Sequence, residues 1–220
     1  MHVCVRVCVC FPYALQALPE TLKSKWDSPQ FAQYRDAFPA EYRSSQAAFE
    51  EHVKDLVSRD VKASYLKSLQ GYLWEKGYKS GELKAPLFED VPPKFASWRK
   101  DRLRVMIYSS GSVPAQKLLF RHTNAKPSDL TPQITDFFDT VNAGPKTEAA
   151  SYEKIAGKYK RYAPNEWLFL SDNVKEVEAA IAAGMQSYVV ERPGNPDLPK
   201  DIQKRHKVIR NFDELDNIGS

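Results

Sequence analysis

The sequence predicts an α/β fold, a doubly wound and mostly parallel sheet, with an all-helical module ahead of it. Two short apolar runs, 103–108 and 167–170, have the composition of strands that are covered on both faces. From residue 103 onward such runs alternate with stretches of helical spacing, which is typical of parallel βαβ units. Residues 12–88 instead show helical spacing and no alternating pattern, which predicts a separate helical module.

Size and composition narrow the class of protein. The 220 residues suffice for one large domain, or for a core with a smaller module. A hydrophobic share of 42% and a charged share of 27% are those of a water-soluble globular protein. The net charge is +4 without a run of lysine and arginine, and no apolar run is long enough to span a membrane. Neither nucleic acid nor a membrane is therefore expected as a partner. We also expect a monomer that takes a small-molecule ligand.

The first ten residues alternate valine with other residues and are predicted to form one strand. All three cysteines, Cys4, Cys8 and Cys10, lie there, and this odd number does not form a disulfide framework. Cys8-x-Cys10 lacks the further ligands that a metal site needs. Arg6 interrupts the apolar stretch, so we do not expect a signal peptide, and the reducing cytoplasm is the expected compartment.

The helical module has an apolar face between residues 45 and 76. Its members are Phe49, Val53, Leu56, Val57, Val61, Tyr65, Leu66, Leu69, Leu73 and Trp74. We expect the aromatic residues Tyr65, Tyr72, Trp74 and Tyr78 to pack this core. The alternative is a surface for a protein partner. The segment 83–93 contains three prolines and is predicted to be a linker, followed by a short helix at 95–100.

The remainder is predicted to alternate strands and helices. The predicted strands are 103–108, 137–141, 167–170, 187–190 and 208–209, and the predicted helices are 113–120, 148–159 and 174–183. Pro114 suits the first turn of its helix, and Gly184 suits the end of the last one. Parallel strands in this order have their carboxyl ends along one edge of the sheet, where ligands bind.

Polar side chains follow three of these strands. Ser109 and Ser110 come after the first, Lys146 after the second and Asp172 after the third. Serine hydroxyls and the N–H groups of a helix start hold phosphate oxygens, and a lysine neutralises charge that develops in the transition state. A carboxylate holds Mg²⁺. The set predicts a site for phosphoryl transfer in which the nucleophile is missing.

Each of these residues also has a purely structural explanation. A serine after a strand is commonly a turn or a helix cap, and Lys146 alone is an ordinary surface lysine. Asp172 is a candidate N-cap for the helix that begins near residue 174. Glu176 either lines the same edge or pairs with a neighbour such as Lys175. A serine nucleophile is not expected, because no glycine lies two residues before a candidate serine.

Several strings of residues resemble a known family. A hydrophobic strand ending in serine, then a lysine, then Leu-Phe-Leu-Ser-Asp at 168–172 resembles motifs two, three and four of the haloacid dehalogenase-like phosphatases. More narrowly, the strings at 107–120, 69–74, 81–88 and 192–195 resemble the enolase-phosphatases, also called acireductone synthases, of methionine salvage. The resemblance extends from about residue 11 to the end of the sequence.

The resemblance implies a Mg²⁺-dependent hydrolase of the cytoplasm, and also of the nucleus. Its substrate would be 2,3-diketo-5-methylthiopentyl 1-phosphate, which is enolised and then dephosphorylated to the acireductone 1,2-dihydroxy-3-keto-5-methylthiopentene. A haloacid dehalogenase-like core would carry an inserted helical cap, with 1–11 as an altered first strand, 12–92 as the cap and 93–220 as the core. Ser109, Ser110 and Lys146 would bind substrate, Lys146 would also stabilise the phosphate charge, and Asp172 would bind Mg²⁺.

The sequence departs from this family at the first motif. Family members open with a strand that ends in Asp-x-Glu-Gly-Thr, whose aspartate is both nucleophile and metal ligand, whereas residues 1–10 contain no acid. An aspartyl-phosphate requires a carboxylate nucleophile, and Asp172 with Glu176 is a poor ligand set for Mg²⁺. Arg6 would also be costly within a strand that is buried on both faces. We therefore expect a polypeptide with this sequence to show little or no phosphatase turnover.

Two explanations of this departure stay open at the level of sequence. In the first, the protein is an enolase-phosphatase by descent whose amino terminus is altered or wrongly assigned, for example at an exon boundary. In the second, the protein is a catalytically dead homologue that binds phosphate or has a regulatory role.

Overall fold

The computed structural model describes residues 2–3, 10–59, 61 and 63–217. The helices are α1 (Cys10–Lys25), α2 (Pro29–Arg35), α3 (Gln46–Ser58), α4 (Ser64–Ser80), α5 (Val91–Lys100), α6 (Val113–Arg121), α7 (Ala149–Gly157), α8 (Val174–Ala182) and α9 (Ile202–Arg205). The strands are β1 (His2–Val3), β2 (Val105–Tyr108), β3 (Ile134–Phe138), β4 (Leu168–Ser171), β5 (Gln186–Val190) and β6 (Val208–Ile209). Of the strand predicted at 1–10, residues 2–3 are found as β1, whereas Cys10 begins α1, and Arg6 lies outside the described residues.

The strands form one parallel sheet in the order β3-β2-β1-β4-β5-β6. His2 is opposite Met106 of β2 and Phe169 of β4, so β1 lies between the two apolar strands. The chain proceeds outward from β1 to β3 and then crosses to β4 on the other side. The winding therefore reverses next to β1, and folds of this type bind ligands at the carboxyl ends of the strands beside such a reversal. The predicted doubly wound parallel sheet is confirmed.

The apolar strands are buried as their composition predicts. All four residues of β2 and the last three of β4 are buried. One cluster between sheet and helices combines residues of β2, β3, α7, β4 and α8, among them Met106, Phe138, Ile155, Phe169 and Ala180. The predicted helices at 113–120, 148–159 and 174–183 are found as α6, α7 and α8, with ends that differ by one to two residues.

Several sequence-based boundaries are wrong. The strand predicted at 103–108 begins at Val105, and the strand predicted at 137–141 begins at Ile134. The linker predicted at 83–93 ends earlier, because α5 begins at Val91 and its two prolines occupy the first turn, where no N–H group is needed. The strand predicted at 137–141 ends at Phe138. Thr140 and Val141 instead lie in a turn, whose N–H groups bond to the side chain of Asp139.

The chain divides into two compact units, Val7–Pro86 and Met1–Arg6 with Leu87–Ser220, which we call the helical unit and the sheet unit. These are units of packing. The division into 1–11, 12–92 and 93–220 that the family resemblance implies stays a prediction.

The helical unit contains α1 to α4 around an apolar core. The core includes the predicted residues Phe49, Val53, Leu56, Leu66, Leu69 and Leu73. Tyr65, Tyr72 and Trp74 are partly buried against it, as expected, and Tyr78 is buried. The ring of Phe49 lies 4.5 Å from that of Phe38 and 5.6 Å from that of Trp26, centroid to centroid. Aromatic packing is therefore a main source of stability in this unit.

None of the helices in the described part of the chain is both long and apolar enough to cross a membrane.

Candidate functional site

The turn after β2 brings two of the predicted site residues to the carboxyl edge of the sheet. The N–H of Ser109 donates to the carbonyl oxygen of Phe138 at 3.1 Å, which continues the pairing of β2 with β3 by one residue. The Oγ of Ser109 accepts the N–H of Gly111 at 3.1 Å, and Ser110 is exposed. Ser112 is the N-cap of α6. The helix-cap explanation is therefore wrong for Ser109 and Ser110, because Ser112 is the cap, whereas the turn explanation is correct for Ser109.

Two residues that the sequence analysis missed hold this turn in place. One carboxylate oxygen of Asp139 accepts the N–H of Val113 at 2.9 Å, at the start of α6. The Nε2 of Gln116 donates to the carbonyl oxygens of Gly111 and Phe138 at 2.7 and 2.8 Å. Both side chains are buried. Asp139 directly follows β3, but the strand predicted at 137–141 extended through it, so the sequence did not mark it as a strand-end residue.

Lys146 belongs to a nearly buried ion pair. Its Nζ lies 2.6 Å from Oε2 of Glu176, and the two side chains are 12% and 10% exposed. The Oγ of Ser171 donates to the same carboxylate oxygen at 2.7 Å and accepts the N–H of Asn173 at 3.1 Å. Lys146 is therefore not an ordinary surface lysine. Glu176 pairs with Lys146, so its suggested pairing with Lys175 is wrong.

Asp172 is half-buried at the end of β4. The N-cap of α8 is the next residue, Asn173, whose Oδ1 accepts the N–H of Lys175 at 3.0 Å. The suggestion that Asp172 caps this helix is therefore wrong. Its carboxylate lies at the carboxyl edge with the end of β4.

The structure links the predicted residues through two contacts and through the order of the strands. The Glu176 carboxylate connects Lys146 to the end of β4, and the Nζ of Lys146 lies 6.0 Å from the ring centroid of Tyr108, the residue before Ser109. Asp172 and Ser109 follow β4 and β2, which flank β1 and are thus about 10 Å apart.

The residues present do not fit the Mg²⁺ ion that the resemblance implies. Within the described ranges, no three side chains of His, Cys, Asp or Glu are grouped so that they could hold a metal ion. The carboxylate of Glu176 is engaged by Lys146 and Ser171. Mg²⁺ requires several oxygen ligands in near-octahedral geometry, and Asp172 supplies one carboxylate. We therefore assign no chemical step to this ion.

The sheet order and the site at its reversal define the fold of the haloacid dehalogenase-like (HAD) hydrolases. The chain superposes on the HAD-hydrolase YfnB from Bacillus subtilis, whose structure is described as bound to magnesium, with a TM-score of 0.60 at 16% identity. That alignment covers 99% of this chain and 95% of YfnB. The UTR4 protein from Saccharomyces cerevisiae superposes with a TM-score of 0.78 at 35% identity, over 93% of this chain and 90% of that one.

Relatives found by sequence similarity define the family more narrowly than the fold does. The chain is 72% identical over 207 residues to enolase-phosphatase E1 of Pyricularia oryzae, covering 94% of this chain and 90% of that protein. It is 66% identical over 211 residues to enolase-phosphatase E1 of Neurospora crassa, covering 96% and 90%. No family model matches the chain. The chain belongs to the enolase-phosphatase E1 family, which confirms the resemblance seen in its motifs.

Proposed function

We propose that the carboxyl edge of this sheet binds the phosphate group of 2,3-diketo-5-methylthiopentyl 1-phosphate, the substrate expected for an enolase-phosphatase. The family's reaction enolises this compound and then removes its phosphate to give the acireductone. The observation that carries the proposal is the ammonium of Lys146, nearly buried and fixed at the edge by Glu176. We infer a place in methionine salvage, as a monomer, in the cytoplasm and also in the nucleus.

Each site residue has a defined task in this proposal. The hydroxyls of Ser109 and Ser110 donate to phosphate oxygens, whereas the N–H groups of Val113 and Ala115 are already bonded to Asp139 and Ser112. Lys146 neutralises charge that accumulates on those oxygens in the transition state. Because its ammonium is already held by Glu176 in a site with little water, it needs little reorganisation when the phosphate arrives. Asp139 and Gln116 keep the serine turn in its position.

The proposal separates binding from turnover. Residues 1–10 contain no acidic side chain, so the strand between β2 and β4 has no carboxylate to attack the phosphorus. For a polypeptide of these 220 residues we therefore expect little or no Mg²⁺-dependent phosphatase activity, while phosphate binding is retained.

One assay tests the proposed function. The polypeptide is compared with a variant in which residues 1–10 are replaced by a strand ending in Asp-x-Glu-Gly-Thr, with phosphate release as the readout. We expect activity in the variant alone, and its loss when Lys146→Met is added. A turnover on the order of 1 per second from the unaltered polypeptide would contradict the expected impairment.

A catalytically dead phosphate-binding or regulatory homologue is the second candidate. The observation that favours it is that Ser109, Ser110 and Lys146 are all present while the first motif has no acid. Calorimetry with inorganic phosphate and with a stable analogue of the substrate distinguishes it from a protein without a working site. Absence of binding at millimolar concentration would count against both candidates.

A further inference from the structure

The loop that carries Lys146 has three successive backbone carbonyl groups, each of which accepts a hydrogen bond from a side-chain hydroxyl. Tyr108 Oη donates to the oxygen of Gly144 at 2.6 Å. Ser151 Oγ donates to the oxygen of Pro145 at 2.7 Å, and Tyr152 Oη donates to the oxygen of Lys146 at 2.6 Å. The backbone on which Lys146 is mounted is thus held at three consecutive points.

The three hydroxyl groups belong to buried side chains from different elements. Tyr108 ends β2, whereas Ser151 and Tyr152 lie in the first turn of α7, and all three residues are at most 3% exposed. The rings of Tyr108 and Tyr152 meet edge to face, with centroids 5.6 Å apart. The donors are buried and their hydrogen bonds to the loop are partly buried, so the loss of one donor leaves a loop carbonyl less well satisfied. The loop therefore has one well-defined position relative to β2 and α7.

Gly144 is required for this arrangement. Its φ of +124° lies in a region that residues with a side chain rarely adopt. A Cβ atom at this position would lie 2.5 Å from the Oγ of Ser151, which is the hydroxyl that bonds to Pro145. The glycine thus allows the loop to approach α7 closely enough for the hydroxyl contacts to form.

Tyr108 contacts Lys146 in a second way. The Nζ of Lys146 lies 6.0 Å from the centroid of the Tyr108 ring, at the outer limit of a cation–π contact. Burial raises the pKa of Tyr108, while Lys146 and the hydrogen bond with Ser151 oppose that rise. The phenol therefore keeps its proton, and can donate to Gly144, throughout the physiological pH range. One side chain thus supports both the base and the tip of Lys146.

We propose that Tyr108, Ser151 and Tyr152 are positioning residues. Their hydroxyl groups hold the Lys146 loop so that the Lys146 ammonium lies where it can bind phosphate. This inference rests on the proposed function, in which Lys146 binds the phosphate. A lysine side chain has a long flexible stem, so the position of its ammonium depends on where the backbone is fixed. Glu176 holds the ammonium and the three hydroxyl groups hold the backbone of the loop, and together they define one location for the charge.

The test removes single hydroxyl groups from the full chain. Tyr108→Phe and Tyr152→Phe each keep the ring and lose one donor, and calorimetry with inorganic phosphate measures the dissociation constant. We expect each to weaken phosphate binding roughly three- to tenfold, as befits one lost buried hydrogen bond. The matched control is Tyr159→Phe. It also removes one tyrosine hydroxyl, but that hydroxyl donates to Asp136 at 2.8 Å and not to a carbonyl group of the Lys146 loop. We expect this control to leave the dissociation constant unchanged.

A second readout reports on Lys146 without any phosphate. Acetic anhydride labels exposed amines, and mass spectrometry compares labelling at Lys146 with labelling at the exposed Lys175 in folded protein. We expect Tyr108→Phe to raise the ratio for Lys146 severalfold and Tyr159→Phe to leave it unchanged. If Tyr108→Phe lowered stability without moving the Lys146 side chain, the labelling ratio in folded Tyr108→Phe would equal that in Tyr159→Phe. This readout therefore separates a positioning role from a purely structural one.

The outcomes also separate the two proposals. If the unaltered chain does not bind phosphate, the proposed function fails, and the labelling ratio still decides the inference about Tyr108. If phosphate binds but Tyr108→Phe changes neither the dissociation constant nor the labelling ratio, the inference is wrong and the proposed function stands. Equal weakening by Tyr108→Phe and Tyr159→Phe would also overturn the inference.

Discussion

The helical unit and the sheet unit bury different kinds of side chain. In the described residues, the buried polar side chains of the helical unit are Thr21 and Gln70. Those of the sheet unit include charged groups and are Lys94, Gln116, Thr123, Asp139, Ser151, Ser171, Glu176 and Ser187. Burying a charge is costly unless it is paired, so such groups persist where a partner or a ligand offsets the cost. Among the described residues, the buried charged side chains therefore all belong to the sheet unit, as do the candidate site residues.

The largest expected effect is in the helical unit. Phe49→Ala removes a fully buried ring that contacts three other aromatic rings, so we expect the free energy of unfolding to fall by about 4 kcal/mol. Urea denaturation measures this change. The proposed phosphate ligands all belong to the sheet unit, so the dissociation constant for phosphate, measured on folded protein, should stay the same. A large change in that constant would show that phosphate binding also depends on the core of the helical unit.

A smaller loss of stability, with loss of binding, is expected from Glu176→Ala. This change leaves the ammonium of Lys146 nearly buried without its carboxylate partner, and we expect a cost of about 3 kcal/mol in urea denaturation. Because the ammonium is no longer held, phosphate binding should weaken as well. Glu75→Ala, which breaks an exposed pair with Lys79 on α4, is the control and should cost less than about 0.5 kcal/mol. Equal effects of the two variants would refute the distinction between the units.

The same substitution should have opposite effects on stability in the two units. Gly144→Ala in the sheet unit is strained by its positive φ and by the Oγ of Ser151, and we expect it to destabilise the protein by about 2 kcal/mol. Gly71→Ala in α4 meets no atom within 4 Å, and we expect it to stabilise the protein by about 0.5 kcal/mol. Thermal unfolding of both variants measures the difference. Destabilisation by Gly71→Ala would show that the helical unit is more tightly constrained there than its packing indicates.

The smallest effect depends on pH and concerns Asp90. Burial raises the pKa of its carboxyl group, but hydrogen bonds from Arg192 and the N–H of Phe212 outweigh this, so the pKa is lowered overall. A carboxylate whose pKa is lowered by folding stabilises the fold above the pKa of the unfolded chain, and this contribution is lost as the pH falls through the folded-state pKa. We expect Asp90→Asn to cost about 1.5 kcal/mol at neutral pH. The difference from the unaltered protein should shrink below about pH 4.

The control for this pH dependence lies in the helical unit. Asp36 also has a lowered pKa, because Arg35 donates a hydrogen bond to it, but its side chain is half exposed and solvent screens the pair. Asp36→Asn should therefore change stability less than Asp90→Asn at every pH, as measured by urea denaturation across a pH series. A larger effect of Asp36→Asn would contradict this expectation.

Sequence reasoning brought the candidate site residues to one edge of the sheet but predicted few of their contacts. The order of strand ends brought Ser109, Lys146 and Asp172 to one edge, as predicted, because parallel strands share a direction. Asp139 was overlooked because the predicted strand at 137–141 extended through it, whereas β3 ends at Phe138 and Asp139 bonds to the start of α6. Asn173 was overlooked as a helix cap because two adjacent polar residues were both suitable, and sequence alone does not choose between them.

The sequence by itself determined the alternation of apolar strands and helices, the helical unit before them, and the polar residues that follow each strand. These are consequences of local periodicity and turn chemistry, which act over a few residues. Only the tertiary structure decided that Glu176 pairs with Lys146, 30 positions away, and that Tyr108 bonds to Gly144, 36 positions away. Partners so distant in the chain meet only after the sheet has formed, because strand order and helix packing set the position of every side chain at its edge.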